Sequence, residues 1–70
     1  MQGTYKISLA AARVNAGLTQ EDAAKKLHVT KQTLVNYEKG KTIPKPAQFN
    51  MLCEMYSVPR DIIFLKQNIT

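Results

Sequence analysis

Seventy residues are expected to fold as one small domain, and ten Lys/Arg against five Asp/Glu give the chain a net charge of +5. With Cys53 as its single cysteine it can form no intrachain disulfide, and no apolar run (Ile62–Leu65 is typical) approaches the length of a membrane span or a secretory leader. A basic surplus favours nucleic acid, an anionic surface or an acidic partner, and a free thiol without a leader points to the cytoplasm.

Helical signals dominate. Ser8 is placed to cap a first helix running to about Ala16, with Gly17 closing it in a left-handed conformation. Leu9, Ala12, Arg13 and Ala16 fall on one face of it. Thr19 caps a second helix from Gln20 to about Leu27, with Asp22 at the capping-box position. Ala23, Ala24 and Leu27 form its inner face, and acids in the first turn with lysines near the end complement the helix dipole. After His28 and Val29, Thr30 caps a third helix from Lys31 to about Lys39, closed by Gly40. Three residues between two short helices is the spacing of a helix-turn-helix unit, here about residues 19–39.

Pro46 then suits the first position of a fourth helix reaching about Tyr56, with Phe49, Leu52, Cys53 and Tyr56 as its apolar stripe. Met51 and Met55 lie one turn apart on it, as a contact patch for a partner or as filler in a small core. A short fifth helix is expected from Pro59 to about Ile63, with Phe64–Leu65 tucked against the bundle and the last residues frayed. An extended Tyr5-Lys6-Ile7 pairing with Phe64–Leu65 is the secondary alternative to this all-α, five-helix reading.

The charge is unevenly spread. From Lys25 to Lys45 six lysines face one acid, Glu38. Lys31, Gln32, Val35, Asn36 and Lys39 share the outward face of the third helix, while Thr33, Leu34 and Tyr37 point to the core side. Gln and Asn bond adenine bidentately, Lys reaches guanine O6 and N7, and an exposed Val touches a thymine methyl. A solvated surface helix also shows such a pattern, but with more acid and less amide. No nucleophile–base pair, paired carboxylates, phosphate-binding glycine loop or metal-ligand spacing is present, so neither an enzyme nor a bound metal or cofactor is expected.

The segment Arg13–Pro44 resembles the phage repressor/Cro-type (xenobiotic-response-element type) helix-turn-helix family. The residues that carry it are Arg13, Gly17-Leu18-Thr19-Gln20-Glu21, Ala23-Ala24, Leu27, Val29-Thr30, Leu34 and Tyr37-Glu38-Lys39-Gly40-Lys41, followed by Pro44. The resemblance implies a lambda-repressor-like DNA-binding domain whose second and third helices form the motif. It also implies a transcriptional regulator, as a repressor of prophage or mobile-element kind, with double-stranded operator DNA as its partner. It places base contacts at Lys31, Gln32 and Asn36, to which the outward Val35 is added, and a phosphate contact at Gln20. Thr30, Lys39 and Lys41 are expected to hold further phosphates, and Arg13 and Glu38 to form a structural ion pair. Relatives pair two domains on an inverted repeat, which implies a homodimer at least on DNA. The same fold docking a protein, as in an antitoxin, is the alternative reading.

Two positions depart from the family pattern. His28 stands where the motif turn usually has Gly, so either a left-handed His or an altered turn is expected there. Ser57 stands where relatives commonly have Gly before Val, which leaves the end of the fourth helix open.

Overall fold

The computed structural model of the chain describes residues 6–65. In chain order it contains β1 (Ile7–Ser8), α1 (Leu9–Asn15), α2 (Gln20–Leu27), α3 (Lys31–Lys39), α4 (Pro46–Tyr56), a single 3-10 turn (Arg60–Ile62) and β2 (Ile63–Phe64). No described helix is long and apolar enough to cross a membrane.

The helices begin where capping side chains put them. Ser8 Oγ accepts from Ala11 N at 3.0 Å, Thr19 Oγ1 from Asp22 N at 3.0 Å, and Thr30 Oγ1 from Thr33 N at 3.1 Å. Asp22 returns the bond of Thr19, accepting its backbone N–H at 3.3 Å, so the shorter acid completes the capping box. These bonds hold the Asp22 carboxyl below its ordinary pKa, the backbone bond first. α4 has no such side chain and relies on Pro46 at its first turn.

All four helices end alike. Gly17, His28, Gly40 and Ser57 each take a left-handed conformation, with φ of 77°, 63°, 82° and 56°. The next residue's N–H then reaches back to a carbonyl in the last turn: Leu18 to Arg13, Val29 to Ala24, Lys41 to Asn36 and Val58 to Cys53, at 2.9–3.2 Å. His28 therefore occupies the glycine position in the glycine conformation, and Ser57 ends α4 after Tyr56. After three of these reversals the turn drops Leu18, Val29 and Val58 against the core, whereas Lys41 after Gly40 is exposed.

That core is Leu9, Ala12, Ala23, Ala24, Leu27, Leu34, Tyr37, Leu52, Cys53, Tyr56 and Ile63, with Leu34 and Leu52 fully enclosed. Alanines at positions 12, 23 and 24 let neighbouring helices approach closely, α2 most extensively against α3. Burial pushes the Cys53 thiol above its ordinary pKa against the opposing effect of Arg60. Phe49 packs against the core only in part, with the Arg60 guanidinium 5.9 Å from its ring centroid. Met55 also packs there, whereas Met51 is exposed.

Three expectations are corrected. The fifth helix is one 3-10 turn of three residues. β-branched Ile62 and Ile63 lose side-chain freedom in a helix, and extending the chain instead buries Ile63 and pairs its backbone. β2 pairs in parallel with β1, Ile7 opposite Ile63 and Ser8 opposite Phe64, so the described residues form four α-helices plus this short pairing in place of an all-α set of five. The pairing is offset from the alternative named above, whose Tyr5 lies outside the described residues, as do the last residues expected to fray. Finally, Ala16 is exposed, because α1 ends at Asn15 and Ala16 belongs to its reversal.

Candidate nucleic-acid interface

α3 is held from behind. Leu34 is enclosed, and Tyr37, buried beside it, donates its hydroxyl to Gln48 Oε1 of α4 at 2.7 Å. With that side fixed, helical periodicity turns Lys31, Gln32 and Lys39 outward as exposed residues, with Val35 and Asn36 half-buried between them. Gln32 Nε2 donates to Asn36 Oδ1 at 3.0 Å across one helical turn. Thr33 is half-buried, its hydroxyl 2.8 Å from that of the cap Thr30. Lys41 is exposed just beyond Gly40, its backbone N–H engaged with Asn36 O at 2.9 Å.

The last turn of α3 is tied to α1 and α2 through one carboxylate. Arg13 Nε donates to Glu38 Oε2 at 2.7 Å, with side-chain exposures of 13% and 7%. The guanidinium also donates from Nη1 to Leu18 O at 2.9 Å, fixing the turn that precedes α2. Glu38 Oε1 accepts from Gln20 Nε2 at 3.0 Å. Gln20, read from the sequence as a phosphate contact, thus spends one amide N–H inside the protein. Its other amide N–H and its backbone N–H, which has no intrahelical partner at the first position of α2, remain available. Beneath this network the Tyr56 hydroxyl is buried without a hydrogen-bond partner among the described residues. Its pKa is pushed up to about 12, by burial first and then by the charge of Glu38, with Arg13 opposing.

A shallow groove of about 390 Å³ runs beside this tie, lined by Val14, Gly17–Glu21 and Lys31. It brings Lys31, placed from the sequence among base contacts, next to the free N–H end of α2 and to Gln20. The groove therefore joins an ammonium and helix-terminal donors, the equipment that holds a phosphate oxygen. Lys31 is common to this groove and to the surface of α3 that carries Gln32 and Asn36.

Sequence reasoning missed two bonds and one unpartnered group. Gln48 carries no mark as a partner of Tyr37, and the Gln20–Glu38 bond joins residues far apart in the chain. The unpartnered Tyr56 hydroxyl lies on a stripe read only as apolar. The Gln32–Asn36 bond was accessible from i, i+4 spacing alone.

A family model described as helix-turn-helix matches residues 9–63 of the chain. The chain is 39% identical over 51 residues to an uncharacterized HTH-type transcriptional regulator of Methanocaldococcus jannaschii, a match covering 73% of this chain and 77% of that protein. No solved structure matches it.

Proposed function

The chain belongs to the Cro/C1-type helix-turn-helix family, and from that premise we propose that it regulates transcription by laying α3 in the major groove of a specific operator. The observation that carries this reading is the two-sidedness of α3. Its inner side is locked by Leu34, Tyr37 and Glu38, while its outer side presents Lys31, Gln32, Val35 and Asn36. These four are assigned to base edges. Gln20, Thr30, Lys39 and Lys41 are assigned to phosphates, Gln20 through the N–H groups that Glu38 leaves free. Thr30 is exposed, its hydroxyl 2.8 Å from that of Thr33.

One short helix reads only about three to five base pairs, so two copies on an inverted repeat with half-sites about 34 Å apart are the arrangement proposed. Exposed Ile43 and Met51, at 50% and 38%, offer a small apolar contact following the recognition helix. A contact of that size supports pairing on DNA more than a stable free dimer. Repression, in the manner of a prophage or mobile-element regulator, is the proposed outcome of operator occupancy.

Selection of bound duplexes from a random pool, followed by gel-shift titration of the enriched sequence, tests the reading. The expected result is an inverted repeat bound by two copies of the chain. A pool that stays unenriched, with affinity independent of salt, overturns it in favour of a protein-docking role.

A further inference from the structure

Gln32 and Asn36 are joined by the 3.0 Å bond from Gln32 Nε2 to Asn36 Oδ1, and the two residues are not equivalent. Asn36 is short and half-buried, and its backbone carbonyl receives the closing turn of α3, accepting from Lys41 N at 2.9 Å. Gln32 is exposed and one rotatable bond longer. Asn36 is the fixed member, and Gln32 is the one that is aimed.

The bond gives the pair a polarity. It uses one N–H of Gln32 and one lone pair of Asn36 Oδ1. Left on Gln32 are Oε1 and the second N–H; left on Asn36 are both Nδ2 hydrogens and one further lone pair of Oδ1. An acceptor beside a donor complements adenine, whose major-groove edge offers N6–H and N7. Two donors on one nitrogen complement guanine, whose edge offers only the acceptors N7 and O6. The two N–H groups of a primary amide point in different directions, so one can hold Asn36 while the other works with Oε1. Lys31 and Val35 bring no side-chain acceptor to this face, leaving the amide oxygens to accept from a base amino group.

Resting on the reading that α3 enters the major groove, we propose that Gln32 and Asn36 act as one recognition unit. Asn36 positions the Gln32 amide for an adenine and offers its own N–H groups to the neighbouring guanine.

Random-pool selections with the wild type, Asn36→Ala, Gln32→Ala and the double variant test the unit, with affinities measured for the selected site and for a scrambled duplex. The wild type is expected to enrich adenine next to guanine. Asn36→Ala should lose the guanine preference and also weaken the adenine preference at least about fivefold, although Gln32 is intact. The double variant should then bind the selected site within about threefold of Asn36→Ala. Scrambled-duplex affinity should change less than about twofold throughout, because phosphate contacts are untouched. If each substitution blurs only one base position and the losses multiply, the bond is an ordinary surface contact. The unit is then overturned while DNA binding stands. Enrichment of a G·C pair at the position that Gln32→Ala blurs overturns it too, since that pair carries no adenine edge on either strand. A wild type that retains no duplex overturns the DNA-binding reading and this inference together.

Discussion

Replacing Glu38 by alanine removes the one group on which Arg13 and Gln20 both depend. At 7% exposure the carboxylate is nearly out of water, and its partner guanidinium is 13% exposed. Alanine there leaves Arg13 with only the Leu18 carbonyl at 2.9 Å and Gln20 without its acceptor. Breaking a fully buried pair costs about 3–5 kcal/mol, and an exposed one under ~1. This pair makes a single Nε–Oε2 contact near the surface limit of burial, so we predict a loss of about 2–3 kcal/mol. Against a total of roughly 4–10 kcal/mol for a chain this size, that is a large fraction. The melting temperature should fall by about 10–20 °C. Glu38→Gln keeps the shape but only one of the two acceptors, setting its amide nitrogen against the donor of Arg13 or Gln20, and should recover little of the loss. Urea titration followed by helical circular dichroism measures both variants, and a cycle with Arg13→Ala isolates the pairwise part. If Glu38→Ala lies within about 0.5 kcal/mol of wild type, the pair is effectively solvated and the burial argument fails.

Other perturbations follow from the reversals, the buried phenol and the charge. Ser57→Gly and His28→Gly should each raise stability by about 0.5–1 kcal/mol, because a left-handed L residue is strained and glycine is not; thermal melts that fall for both count against this account. Tyr56 is raised in the folded state from 10.0 to about 12, so the unfolded chain gives up its proton first and stability is lost as pH rises from 10 to 12. The contribution is on the order of 2 kcal/mol, present in full below pH 10 and lost by pH 12. Tyr56→Phe should flatten it and, by removing an unpartnered hydroxyl, leave neutral-pH stability unchanged or slightly higher. Operator affinity should fall with salt at a log–log slope of about −4 to −5 per copy, and Lys41→Ala should flatten that slope by about one. A slope near zero contradicts the phosphate assignments.

What the sequence revealed was mostly what is local. Ser8, Thr19 and Thr30 start helices through bonds to residues three positions on, and Gly17 and Gly40 end them, so both signals sit within one turn of their effect. The outward face of α3 is likewise local, a consequence of 3.6-residue periodicity once Leu34 and Tyr37 face inward. His28 and Ser57 were harder: a histidine or serine tolerates several turn geometries, and only the following valine packing inward selects the left-handed one. The misread element was Arg60–Ile63. A proline followed by Arg60-Asp61-Ile62-Ile63 suits one helical turn, but the partner that extends Ile63 is Ile7, at the other end of the described chain. Gln20 shows the same limit within the site. Its place at the start of α2 is written beside it, whereas its bond to Glu38 exists only after α2 and α3 have packed.

The turn between α2 and α3 has no idle residue. His28 supplies the reversal, Val29 returns an N–H to Ala24 and packs inward, and Thr30 caps the next helix. The connection therefore behaves as a keyed coupling and fixes the rotational phase of α3. One residue inserted within α3 would turn everything after it by about 100° and advance it about 1.5 Å, carrying Asn36 off the outward face. Substitution on that face meets no such constraint, since Lys31, Gln32 and Lys39 are exposed and brace nothing in the core. On the reading proposed for α3, the architecture separates how that helix is aimed from what it contacts, so new operators would be reachable by exchanging side chains alone, while changes of length in the coupling are closed.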